Sequence, residues 1–143
     1  FKKKELLRLI KLIKSKKIYK KKVTLLHCVS SYPLKADECN FEKFNFIKKN
    51  LGKVGYSGHL HGIQDSVYAL NNGAQIIEKH FTTNNNLPGR DNKFALTKNE
   101  LIELKNYITL KKKFRINKGL GLQKCEIDIF KNYRGRWSKN IIN

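Results

Sequence analysis

The spacing of apolar positions changes several times along the chain, and each change marks an expected element. From Phe1 to about Lys17, Leu6, Ile10 and Ile13 recur at i, i+4 and i+7, with Leu7 beside them and lysines elsewhere. That pattern predicts an amphipathic helix packed on a sheet. Residues 23–29 form an apolar run without clean alternation, as in a strand buried on both faces. Ser30-Ser31-Tyr32-Pro33 ends it, because Pro33 biases Tyr32 toward an extended backbone. A second helix is expected from near Asn40, with Phe44, Ile47 and Leu51 on one face and Gly52 as its stop. The strand 53–57 follows, then a turn over 58–62. Ile63, Val67 and Leu70 mark a short helix closed by Asn71-Asn72-Gly73, and residues 74–81 read as a third strand. The polar, Asn-rich stretch 82–95 is a long surface loop of the kind that carries function. Thr97-Lys98-Asn99-Glu100 is a capping box opening a helix with Leu101, Leu104 and Ile108 inward. After Lys111-Lys112-Lys113 the pattern fades, and no regular structure is expected there.

Three strands, each followed by a helix, predict an α/β fold with parallel strands and right-handed crossovers. A doubly wound sheet and part of a (β/α)8 TIM barrel both satisfy this order. No GxGxxG turn is present, which argues against a dinucleotide fold. Polar residues collect after three consecutive strands, as at the carboxyl ends of barrel strands. A complete barrel takes about 250 residues, so 143 residues supply three βα units and a preceding helix, a partial barrel.

Charge widens the list of partners. The formal net charge is +20, enough to suggest nucleic acid or an anionic surface. The excess is nearly all Lys, with five Arg (Arg8, Arg90, Arg115, Arg134, Arg136), and Arg is the residue that dominates base and bidentate phosphate contacts. A solvated, biased surface is therefore weighed above a non-catalytic nucleic-acid-binding module, which stays as the alternative; anionic small substrates would profit from the same field. Cys28, Cys39 and Cys125 have no CxxC spacing, so neither a disulfide framework nor a thiolate zinc site is expected, and a reducing cytoplasm fits. No apolar run approaches the roughly 20 residues of a membrane span. A start at Phe1 rather than Met suggests a fragment or a processed piece.

The candidate chemistry sits at two strand ends. Gly55-Tyr56-Ser57-Gly58-His59-Leu60-His61-Gly62 is answered by Ile76-Ile77-Glu78-Lys79-His80-Phe81, and three of the four histidines fall in these stretches. Alternation places Ser57 with His59 on one face and Glu78 with His80 on one face.

Four ordered motifs carry a resemblance: Leu25-Leu26-His27-Cys28-Val29-Ser30-Ser31-Tyr32-Pro33, Val54-Gly55-Tyr56-Ser57-Gly58-His59, Gly73 through Thr82, and Pro88-Gly89-Arg90-Asp91. With these the chain resembles the sialic acid synthase family, the N-acetylneuraminate synthases and their relatives, which condense phosphoenolpyruvate with an N-acyl amino sugar such as N-acetylmannosamine in nonulosonic acid and surface-carbohydrate biosynthesis. The resemblance implies the last three βα units of the TIM barrel over 1–113. It also implies a basic tail, 114–143, containing Tyr133-Arg134-Gly135-Arg136, that leads toward an absent antifreeze-like domain. An absent amino-terminal barrel half and a homodimer are implied partners, and the fragment alone is expected to be inactive. Transferred residue by residue, the metal ligands fall on His59 and His80. The substrate-binding positions fall on Ser30, Tyr32, Ser57 and Asp91, with Ser57 toward phosphoenolpyruvate and Tyr32 and Asp91 toward the sugar. No catalytic residue is assigned. Two imidazoles with open positions suit Mn2+ better than Mg2+. His61 matches no family ligand and is expected to be a loop residue, and His27 to be structural.

Two departures accompany the resemblance. The family's Ser-Asp-His reads Ser57-Gly58-His59, which removes a carboxylate expected to tune the metal site. Its Pro-Gly-Pro-Asp reads Pro88-Gly89-Arg90-Asp91, which places a charge where a rigid residue is usual.

Overall fold

Helix α1 (Lys3–Ser15) buries Leu6, Ile10 and Ile13, the residues its periodicity singled out. The structure, a computed structural model, describes residues 2–16 and 21–135. Strand β1 (Leu26–Cys28) is followed by α2 (Phe41–Leu51), β2 (Gly55–Gly58), α3 (Gln64–Asn71), β3 (Ile76–Lys79) and α4 (Lys98–Phe114). Gly52 stops α2 as expected: it takes φ +73°, where a Cβ would be strained, and its N–H donates to Lys48 O at 2.8 Å. The capping box at the start of α4 also forms, with the Thr97 N–H and hydroxyl both donating to Glu100 Oε2 at 2.8 Å.

The strands form one parallel sheet in the order β1-β2-β3, and it is not closed. Its register pairs Leu26 with Gly55 and Gly55 with Ile76, and Cys28 with Ser57 and Ser57 with Glu78. Because side chains alternate, His27, Tyr56, Ile77 and Lys79 share one face, and Leu26, Cys28, Ser57, Ile76 and Glu78 share the other. The first face lies against the helices. Phe44, Ile47, Val54, Tyr56 and Ala69 join the buried residues of α1 in one apolar cluster, and Ile63, Leu70, Leu96 and Leu104 form a second. On the other face Cys28, Ile76 and Glu78 are exposed.

Four expectations need correction. The strands are shorter than the apolar runs suggested, and β1 is not buried on both faces, because nothing in the described residues covers its Cys28 side. Leu101 does not point inward: 46% of it is exposed, and Leu104 is the buried residue of α4. The tail is not without structure, since Lys124–Glu126 form a 3-10 turn leading into helix α5 (Ile127–Tyr133). Phe130 and Ile129 carry little apolar periodicity over seven residues, so the pattern was too short to see. Arg136 of the expected basic segment lies outside the described residues. The chain separates into two units, 1–110 and 111–143.

Candidate functional site

The carboxyl ends of β1, β2 and β3 bring the two histidines together. Ser57 closes toward the end of β2, and His59 follows one residue after the strand. Register sets Ser57 opposite Glu78, and the Ser57 hydroxyl donates to Glu78 Oε1 at 2.7 Å. Two residues on, the imidazoles of His59 and His80 stand 5.4 Å apart, centroid to centroid. The main chain of both is tied down: His59 O accepts from Leu34 N at 3.1 Å, and His80 O accepts from Leu96 N at 2.8 Å.

His59 is buried, and its Nδ1–H donates to Val29 O at 2.9 Å. A carbonyl can only accept, so in the neutral ring the lone pair is on Nε2, the atom available to a metal. His80 is half-buried, and its Nδ1 lies 3.7 Å from Asp91 Oδ2, an ion pair only while the ring is protonated. Tyr32 packs on this pair at 4.4 Å from His59 and 6.1 Å from His80. Arg90 lies over the other part of that contact, its Cζ 5.6 Å from the Tyr32 ring centre, a cation–π distance. The extra charge of the 88–91 turn thus sits on the aromatic wall.

Of the expected site residues, Tyr32, His59, His80 and Asp91 are linked through these contacts, and Ser57 joins the same sheet face through Glu78. Ser30 is exposed and reaches the group only through Cys28, whose sulfur lies 3.7 Å from Ser30 Oγ and 3.9 Å from His59 Nδ1. His61 is exposed in the turn. His27 is buried on the helix-facing side, its Nε2–H donating to Cys39 O at 2.8 Å while Nδ1 has no hydrogen-bond partner. Burial pushes the His27 pKa below its ordinary value, against the raising effect of that hydrogen bond.

Three participants lacked a clear signal in the sequence, and a fourth was only partly legible. Phe94 packs on Tyr32, His59 and His80 from the far end of the loop. Glu78 was visible by alternation, but its bond to Ser57 depends on register. The other two, Asp65 and Lys79, form a buried ion pair with 3.2 Å between Lys79 Nζ and Asp65 Oδ1 and side-chain exposures of 0% and 5%. Lys79 also donates to Leu60 O at 2.6 Å, and Asp65 Oδ2 accepts from Leu60 N at 3.3 Å and Tyr56 OH at 3.3 Å. Burial pushes the Lys79 ammonium below its ordinary pKa, with Asp65 opposing, and burial together with the Asp65 charge pushes the Tyr56 phenol well up. The Asp65 carboxylate thus occupies the room beside Gly58. A Cβ on Gly58 would collide with Asp65 Oδ2 and lie 2.8 Å from Tyr56 Cε1.

A divalent ion could draw on this donor set. Two imidazoles, one with its tautomer set by a carbonyl, leave coordination positions for water or substrate. Among the described residues no group of three or more His, Cys, Asp or Glu is disposed to hold a metal, so the remaining donors would come from outside them.

Parallel strands with helices on one face, an open sheet and polar groups at the carboxyl ends define the chain as part of a (β/α)8-barrel protein. Comparison with known proteins narrows this. Residues 2–118 match the NeuB family, and the chain belongs to that family. It is 42% identical over 80 residues to the N,N'-diacetyllegionaminic acid synthase of Campylobacter jejuni, covering 55% of this chain and 24% of that protein. It is 37% identical over 92 residues to the N-acetylneuraminate-9-phosphate synthase of Drosophila melanogaster, covering 63% of this chain and 25% of that protein. The chain thus spans about a quarter of the length of these curated relatives. Among solved structures, the N-acetylneuraminic acid (sialic acid) synthetase of Leptospira borgpetersenii aligns with a TM-score of 0.69 at 29% identity, over 98% of this chain and 48% of that one. The resemblance read from the motifs is the family to which the chain belongs.

Proposed function

We propose that this chain is the carboxyl-terminal part of the barrel of a synthase that condenses phosphoenolpyruvate with an N-acyl amino sugar, with His59 and His80 holding a divalent ion, Mn2+ in preference to Mg2+. The observation that carries this reading is the pair of imidazoles 5.4 Å apart at the ends of adjacent parallel strands, one with Nδ1 committed to Val29 O. When bound, the ion would supply Lewis acidity to the sugar aldehyde. In this reading Ser57 would meet phosphoenolpyruvate, Ser30 would be a further substrate contact, and Tyr32 and Asp91 would meet the sugar hydroxyls. The Ser57 hydroxyl has one proton and now gives it to Glu78, so contact with an anionic substrate requires that hydroxyl to turn.

The chain is incomplete for this task, because phosphoenolpyruvate needs cationic groups from the other barrel strands. An amino-terminal half would complete the sheet beside β1. A hollow of about 250 Å³ lies there, lined by Leu6, Leu9, Leu25, Leu26, His27 and Ile47. Residues 1–113 contribute the barrel portion, 114–143 lead toward a further domain, and the working form is a homodimer in a reducing cytoplasm. Three free cysteines suit that compartment. The net charge of +20 serves anionic substrates in this reading. Nucleic-acid binding that persists at physiological salt would favour the alternative module instead.

Mixing the chain with the amino-terminal half of a family member, Mn2+, phosphoenolpyruvate and N-acetylmannosamine should yield a nonulosonic acid and phosphate. His59→Ala and His80→Ala should each abolish product and weaken Mn2+ binding. Absence of product, with Mn2+ binding indifferent to both substitutions, overturns the proposal.

A further inference from the structure

We infer that Asp65 and Lys79 are positioning residues, a buried clamp that sets the spacing of His59 and His80, with the Asp65 carboxylate entering through the room left by Gly58. The clamp acts through one peptide segment. Leu60 directly follows His59, and both of its main-chain groups are taken: its N–H by Asp65 Oδ2 at 3.3 Å and its carbonyl by Lys79 Nζ at 2.6 Å. Lys79 in turn directly precedes His80. The ion pair therefore fastens the turn behind one histidine to the strand beneath the other. Asp65 is itself held in place, since Oδ1 accepts from Ser66 N at 2.7 Å and Oδ2 accepts from Tyr56 OH at 3.3 Å. A charged pair this deeply buried holds its geometry because breaking it strands a charge without water.

Gly58 makes the arrangement possible. Its φ is not in the left-handed region, so the need is for space and not for backbone freedom. A side chain at 58 and the Asp65 carboxylate compete for the same room. With Asp65 shortened, that room is open to a carboxylate carried on position 58.

The test uses the 143-residue chain with histidine-ring 15N spectra, which report the His59 tautomer without any metal, and Mn2+ titration read by broadening of the His59 and His80 ring signals. The second readout rests on the metal role proposed above, and the first does not. Asp65→Ala should mix the His59 tautomers and weaken Mn2+ binding about 10 to 100-fold. Adding Gly58→Asp to Asp65→Ala should restore the single tautomer and bring binding back to within about threefold of the parent. If Asp65→Ala does not fold, the pair Asp65→Leu with Lys79→Met removes both charges together and keeps the packing. That pair should show the same tautomer mixing. A single His59 tautomer in folded Asp65→Ala or in the charge-free pair overturns the clamp. If the parent chain shows no Mn2+ broadening at all, the metal assignment fails, and the tautomer results still decide the clamp.

Discussion

The two faces of the three-stranded sheet differ sharply in what they touch. His27, Tyr56 and Lys79 point toward the helices, where His27 and Tyr56 are each 1% exposed. Cys28, Ile76 and Glu78 point the other way, and Ile76 is 45% exposed. The first face is a finished core. The second carries the candidate site and is apolar enough, at Leu26 and Ile76, to need a cover of its own. A barrel interior would have this character if the strands across the axis were removed, because inward side chains then meet nothing. The buried core and the candidate site thus lie on opposite sides of the same strands.

The largest effect should come from the finished face. Phe44→Ala, at a fully buried position, should cost about 3–5 kcal/mol in urea unfolding. Ile76→Ala should cost no more than about 1 kcal/mol in the chain alone. If a complementary barrel half covers Ile76, as the proposed function expects, that cost should rise to about 2 kcal/mol or more in the mixed complex, since the side chain becomes buried. Equal costs before and after mixing would break the comparison.

Gly58→Ala comes next, with an expected cost of about 1–3 kcal/mol from overpacking against a carboxylate that four partners hold. A neutral result in the same unfolding assay would mean that Asp65 moves freely. His27 gives a smaller, pH-dependent effect. Its folded pKa is lowered, so between that value and the ordinary 6.5 the unfolded chain binds more protons. Stability rises with pH through this window and is lost as pH falls below 6.5. His27→Gln should flatten that part of the profile, measured as the difference between variant and parent at pH 5 and pH 7.5. The smallest change is expected for Asp91→Asn on the open side, within about 0.5 kcal/mol, because its carboxylate is exposed and only 3.7 Å from a titratable ring. Under the proposed function the same substitution should raise the KM for the amino sugar.

Local pattern was enough for much of the fold. The buried residues of α1 and α2, the Gly52 stop, the capping box at Thr97 and the order of the strands all depend on residues within a few positions of one another. So does the presence of His59 and His80 at strand ends. The short helix Ile127–Tyr133 has no clear signal in the sequence, because seven residues show too little periodicity. The boundaries of the strands were overdrawn because an apolar run continues into loops that pack without pairing.

What the sequence by itself determined is the chain's membership of its family, its βα order and the two histidines that carry the candidate chemistry. Tertiary structure alone decided that Ser57 bonds to Glu78, that Tyr32 and Phe94 wall the histidine pair, and that Asp65 and Lys79 bind Leu60 from both sides. The reason is physical: these contacts form between elements, and their partners depend on strand register and helix placement. Gly58 shows the limit most clearly. In the sequence it is the loss of a carboxylate, and in the folded chain it is the opening through which another carboxylate enters.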